Sequence, residues 1–149
     1  MRLIYSCAAD AETDGRWRWG PEFRPREFIC RCCGKLEMES SFLDRLLRMR
    51  RAYKKPIEVI SGYRCRQHPK ERTKASAGPH PLGRAIDPGI DPADLAAFLR
   101  LAHLFDFTRC GLRYTATEGF QLHLDDLTAA DGFAVRQDGE LFMWGYDRA

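Results

Sequence analysis

The chain has 149 residues, 24 Lys+Arg against 21 Asp+Glu for a formal net charge of +3, and 44% hydrophobic against 30% charged residues. This mix excludes collagen-like, coiled-coil and disordered chains and describes one domain able to support an apolar core without staples. No apolar run approaches the ~20 residues of a membrane span, and the small positive surplus tolerates an acidic polymer while falling far short of a nucleic-acid-binding stripe.

Taken in chain order, Leu3 to Ala9 meets Asp10 before the apolar region of a signal peptide could form, so the expected location at synthesis is cytoplasmic. Residues 1–28 show no sustained period of 2 or 3.6 and read as an irregular arm, with Trp17 and Trp19 packing onto the domain. Of six cysteines, Cys30, Cys32 and Cys33 are bunched while Cys7, Cys65 and Cys110 stand alone. Without a secretory signal they read as reduced thiols or small buried hydrophobes. The bunched trio does not form the two separated pairs usual for zinc, so a structural metal site would need a fourth ligand from elsewhere.

From Ser41 the pattern turns helical, with Asp44 at capping-box spacing and Leu43, Leu46, Leu47 and Tyr53 recurring on one face. Arg45, Arg48, Arg50 and Arg51 form its solvated side. A strand follows over 57–61, then a turn at Gly62. Asp91 as N-cap and Pro92 at the first position start a second helix that buries Leu95, Phe98, Leu99 and Ala102 and carries a structural His103. Strands are expected over 110–114 and 120–124 around a Gly119 turn, and a hairpin over 133–135 and 141–144 around Asp138-Gly139. The result is an α+β domain over 1–149, an antiparallel sheet flanked by helices.

Two of the four histidines sit where metal ligands would. His80 and Asp87 are seven positions apart, and the Gly83 bend lets both reach one ion. Strand alternation puts Gln121, His123 and Asp125 on one face and Leu122 and Leu124 on the other. Two imidazoles and a carboxylate make a three-ligand zinc site with the fourth position left for water. A buried, hydrogen-bonded histidine and an Asp that merely forms a turn before Pro88 are the structural alternatives.

The elements Ser61-Gly62-Tyr63-Arg64-Cys65, His68-Pro69, His80-x-x-Gly83-x-Ala85-x-Asp87 and Phe120-Gln121-Leu122-His123-Leu124-Asp125 occur in order. Together they resemble the zinc D-Ala-D-Ala carboxypeptidase family, which includes phage L-Ala-D-Glu endolysins and shares its fold with hedgehog signalling domains. The resemblance runs from about Phe28, with the Cys30-x-Cys32-Cys33-Gly34 element of phage-type members, through Trp144. It implies a hedgehog/DD-peptidase-like fold, Zn2+ on His80, Asp87 and His123, and Arg64 orienting a substrate carbonyl or carboxylate.

The chain departs from that pattern in two places. Gly78 stands where the family has Ser, and Phe120 and Gln121 stand where many members have an acidic base and a His. Glu118 is the favoured replacement base, brought into reach by a bulge at Gly119. Asp125 is the alternative, as base or as a partner of His123, and His68 is a candidate supporting group. The implied activity is hydrolysis of a peptide bond of the peptidoglycan stem by a monomeric phage lytic enzyme or virion component, with neither nucleic acid nor membrane as partner. A catalytically silent, zinc-stabilised binding module of the same fold is the other reading, because the usual base is missing.

Overall fold

Apolar residues in the first 40 positions settle where the chain begins to pack. In the computed structural model, which describes residues 1–145, β1 (Arg2–Tyr5) pairs antiparallel with β2 (Leu36–Glu39). Alternation buries Leu3 and Tyr5 from one strand and Leu36 and Met38 from the other. The stretch expected as an irregular arm therefore holds β1, α1 (Ala8–Thr13) and a 3₁₀ turn (Pro25–Glu27). Its aromatics do pack: Trp19, Phe23 and Phe28 are buried, and Trp17 meets Trp19 edge-on with centroids 5.1 Å apart. Residues 146–149 of the expected domain lie outside the described residues.

Helix α2 (Ser40–Tyr53) buries Phe42, Leu43, Leu46 and Met49. The capping box anticipated at Ser41 and Asp44 does not form. The amide of Ser40 donates to Met1 O, and Asp44 accepts instead from Trp19 Nε1 at 2.9 Å and from Arg18. The solvated-face reading also fails for Arg45, which pairs with the buried Asp126, a carboxylate that Arg84 meets from the other side at 2.8 Å. Asp91 caps as expected, accepting from Ala93 N at 2.9 Å, and a 3₁₀ turn (Pro92–Asp94) leads into α3 (Leu95–Leu104) with Phe98 and Ala102 buried. His103 is half-exposed beside Glu140.

The larger sheet has strands β3 (Glu58–Ser61), β4 (Ala85–Gly89), β5 (Arg109–Thr115), β6 (Gly119–Asp125) and β7 (Phe142–Gly145), in the order β3-β4-β6-β5-β7. Neighbours are antiparallel except β5 and β7, which run parallel, so this sheet is mixed and not wholly antiparallel. The expected hairpin is absent: residues 133–135 form no strand, and β7 pairs with β5 instead, starting where Phe142 N–H donates to Thr108 O at 2.8 Å. Two small sheets with helices against them give the α+β architecture expected for the hedgehog/DD-peptidase-like fold.

Candidate metal centre

Register across the larger sheet brings the candidate ligands together. Ala85 faces Asp125 and Ile86 faces Leu124, so one step further Asp87 on β4 lies opposite His123 on β6. Ser61 pairs with Asp87 on one side, and Gly111 with His123 on the other, followed by Trp144. One row across five strands thus reads Ser61, Asp87, His123, Gly111, Trp144, all on the cleft face. His80 comes from the loop before β4, returned by a turn in which Gly83 N–H donates to His80 O at 3.0 Å. Gly83 has φ +69°, and a Cβ there would fall 2.6 Å from Glu37 O, so the bend demands glycine.

Three atoms converge at this row. His80 Nε2 lies 3.1 Å from Asp87 Oδ1 and 3.2 Å from His123 Nδ1, and His123 Nδ1 lies 3.2 Å from Asp87 Oδ1. The remaining ring nitrogens fix both tautomers. His80 Nδ1 is 2.6 Å from Gly62 O, a carbonyl that only accepts, so this nitrogen carries the proton. His123 Nε2 is 2.8 Å from Asp125 Oδ2 and donates likewise. Three lone pairs then face one another, an arrangement that needs a positive charge among them.

Zinc suits this donor set. Bonds of about 2.0–2.1 Å at tetrahedral angles hold N and O ligands about 3.3 Å apart, close to the spacings seen. Burial keeps the His80 ring below the ordinary histidine value, as a neutral ligand requires. His123 goes the other way: burial lowers it, but the Asp125 and Asp87 carboxylates outweigh burial and raise it. Burial would raise Asp87, yet His80, His123 and Arg64 hold it well below the usual carboxylate range.

Asp125 is fully buried and sits behind His123, on the side of the ring away from Nδ1. Arg109 Nε donates to the oxygen that meets His123 at 3.2 Å and lies 3.1 Å from the other, where Leu127 N–H donates at 3.1 Å. Arg109 in turn stacks over Trp144, 4.7 Å from the ring centroid, and Trp144 tilts against His123 at 5.6 Å. Arg64 is 7% exposed; its Nε donates to Ser61 Oγ at 3.0 Å and its guanidinium pairs with Asp87 and, at 3.6 Å, with Glu71. It therefore touches the ligand carboxylate itself.

Glu118 lies on the rim, where Arg113 holds it at 2.7 Å and Gln121 Nε2 at 3.2 Å, with Gln121 between it and His123 along the strand. The bulge expected at Gly119 is absent: β5 and β6 pair without interruption from Arg109 opposite Asp125 to Thr115 opposite Gly119, and Gly119, with φ +68°, closes the hairpin and leaves Glu118 outside the cleft lining. His68 faces the cleft; its Nδ1 accepts from Lys70 N–H at 3.2 Å, the capped turn that an Arg-x-x-His stretch makes. Burial and then the Arg64 charge lower its pKa. At Gly78, where the resembled pattern has Ser, an added Cβ would lie 2.9 Å from Glu71 Oε2 and 3.0 Å from Lys74 Nζ, the ends of two side chains that pair with each other.

These groups surround a cleft of about 1020 Å³. Arg26, Arg31, Arg64, Lys70, Lys74 and Arg113 line it against the acids Glu27 and Asp87. Sequence reasoning singled out Arg64 alone among these cations, and it missed Trp144 as a wall of the site. No helix among the described residues is long and apolar enough to cross a membrane.

Three N/O donors with tautomers fixed behind them, open to a cleft, define the mononuclear metal-hydrolase class of site. The family model for Peptidase M15 matches residues 21–125, more than half of the chain and including Arg64, His80, Asp87 and His123. The chain belongs to this family of zinc-dependent peptidases, which includes D-Ala-D-Ala carboxypeptidase and endolysin-like members. No curated protein matches it.

Proposed function

We propose that the chain hydrolyses a peptide bond of the peptidoglycan stem, as a D-Ala-D-Ala carboxypeptidase or L-Ala-D-Glu endopeptidase, and serves as a monomeric phage lytic enzyme. The convergence of His80 Nε2, Asp87 Oδ1 and His123 Nδ1 within 3.2 Å carries this reading. Zinc held there supplies an activated water and a Lewis acid for the scissile carbonyl. The cationic lining supports the substrate class, because stem peptides present carboxylates and basic side chains outnumber acidic ones around the cleft.

In this reading Asp125 fixes the His123 tautomer and Arg64 donates to the carbonyl oxygen as it gains charge. Glu118, swung away from Arg113 and Gln121 toward the ligands, is the carboxylate assigned to take the proton from the attacking water and return it to the leaving amine, a task Phe120 and Gln121 cannot perform. Asp125 is not that base, since it is committed to His123 Nε2 and Arg109. The test is new amine termini released from purified peptidoglycan with and without chelator. Release that stops on zinc removal and returns on readdition is expected. A zinc-loaded protein that cleaves no stem peptide would overturn the peptidase reading in favour of a binding module.

A further inference from the structure

A second group of metal-binding side chains stands apart from the three described. Cys30, Cys33 and Cys65 place their sulfurs within 4.8 Å of one another. Cys32, exposed and next to Cys33 in sequence, is the fourth cysteine of this region. Cys30 and Cys33 are at Cys-x-x-Cys spacing in a tight turn: Gly34 N–H donates to Cys30 O at 2.8 Å, and Gly34 has φ +73°. Such a turn directs both thiols to one side, the form taken by one half of a structural zinc site. The amide of Cys65 donates to Cys30 Sγ at 3.3 Å.

Core packing does not account for the group. Cys30 is buried, but Cys65 is half-buried and Cys33 is exposed, so thiols at three depths are drawn toward a common point. Nor does a single disulfide, which would join two sulfurs and leave the third unexplained. Tetrahedral zinc with Zn–S bonds of about 2.3 Å sets sulfurs about 3.8 Å apart, a small contraction of the spacing seen.

We propose that Cys30, Cys33 and Cys65 hold a structural zinc ion distinct from the His80–Asp87–His123 centre, with Cys32 beside them closing the fourth position. On binding, each thiol releases its proton to solvent and four thiolates replace the water on one Zn2+, with no change of oxidation state. The site pins two segments far apart in sequence. Tyr63 N–H donates to Phe28 O at 2.9 Å, and a Cβ on Gly62 would lie 2.7 Å from Phe28 Cα, so the 28–34 turn is pressed directly onto the 61–65 loop. That loop carries Arg64 and the Gly62 carbonyl that fixes His80. The thiolate site thus holds still the backbone on which the other centre depends. The inference is independent of the peptidase reading.

Metal content and the cobalt spectrum of protein purified under reducing conditions test it. Two zinc ions per wild-type chain are expected, and cobalt substitution gives an intense thiolate-to-cobalt charge-transfer band in the near ultraviolet. A double variant, H80A with H123A, retains one metal and the full band. C65S loses the band and one metal and melts at lower temperature. One zinc per wild-type chain with no thiolate band would overturn the proposal. So would retention of the band at full intensity in C65S, or loss of thiols to a disulfide when the denatured protein is titrated without reductant. Should C65S fail to fold, the wild type and the double variant still decide.

Discussion

Asp125→Asn probes the device that makes His123 a ligand. In the native site Asp125 Oδ2 accepts from His123 Nε2–H at 2.8 Å and from Arg109 Nε at 3.2 Å, while Oδ1 accepts from Leu127 N–H at 3.1 Å. An asparagine keeps one oxygen and cannot serve donors at both positions. Turned with its oxygen to Leu127 N–H, its NH₂ group faces His123 Nε2 and forces the proton onto Nδ1, the atom that must present a lone pair to zinc; turned the other way, its NH₂ group meets Leu127 N–H and loosens the hold on the ring. Losing such a partner costs ten- to a hundredfold in metal affinity, about 1.4–2.7 kcal/mol. Leaving Arg109 without a buried counter-charge adds about 1–3 kcal/mol of destabilisation. Competition against a chromophoric chelator reads the affinity, urea unfolding reads the stability, and ring-nitrogen NMR reads the tautomer. Folded Asp125→Asn protein that binds zinc as tightly as the wild type would refute the assignment.

Other perturbations separate the remaining roles. Glu118→Gln should keep wild-type zinc affinity and lose at least about a hundredfold in hydrolysis, within the range of general-base catalysis, and normal turnover would remove Glu118 from the mechanism. Arg64→Lys should lower kcat by about a hundredfold, about 3 kcal/mol, because a point charge does not reproduce the planar fork shared by Ser61, Asp87 and Glu71. Zinc affinity should fall several-fold in the same variant, since Arg64 touches the ligand carboxylate; wild-type kinetics would leave it a purely structural residue. Gly83→Ala should cost at least about 2 kcal/mol in urea unfolding, combining left-handed backbone strain with a Cβ 2.6 Å from Glu37 O. Stability within about 0.5 kcal/mol of the wild type would show that the bend does not need glycine.

The residues of the candidate site were legible from spacing and family resemblance together: His80, the Gly83 bend, Asp87 and His123 suggested a metal site by type and spacing, with a hydrogen-bonded histidine and a turn-forming Asp as alternatives, and the resemblance assigned them as ligands. Strand partners were not. Asp138-Gly139 signals a local hairpin, yet the backbone edge available to Phe142–Gly145 is that of β5, and which edge is free depends on the whole sheet. β4 escaped notice because Asp87 and Pro88 are poor strand residues, tolerated here where the edge of the metal site interrupts regular pairing. Asp44 had the right spacing for a cap, but Trp19 and Arg18, distant in sequence, bind it in three dimensions. Cys65 could not be joined to Cys30 and Cys33 from sequence, since 35 residues separate Cys30 from it.

The same distinction explains how the site is built. Strand pairing sets Asp87 and His123 side by side at the interstrand spacing, so two of three ligands are positioned by backbone hydrogen bonds, the most rigid part of the fold. Gly111, next in the row, has no side chain, and Trp144 on the far strand reaches across to His123 at 5.6 Å. That contact closes the ring from one side while Asp125 and Arg109 hold it from behind. Only His80 and Arg64 come from loops, and each is tied back: His80 by Gly62 O, Arg64 by Ser61 and Glu71. Both ties run through the 61–65 loop, which the 28–34 turn presses into place. Order in that one loop therefore governs both the third ligand and the cation beside the metal, which is why the cysteine cluster lies where it can matter most.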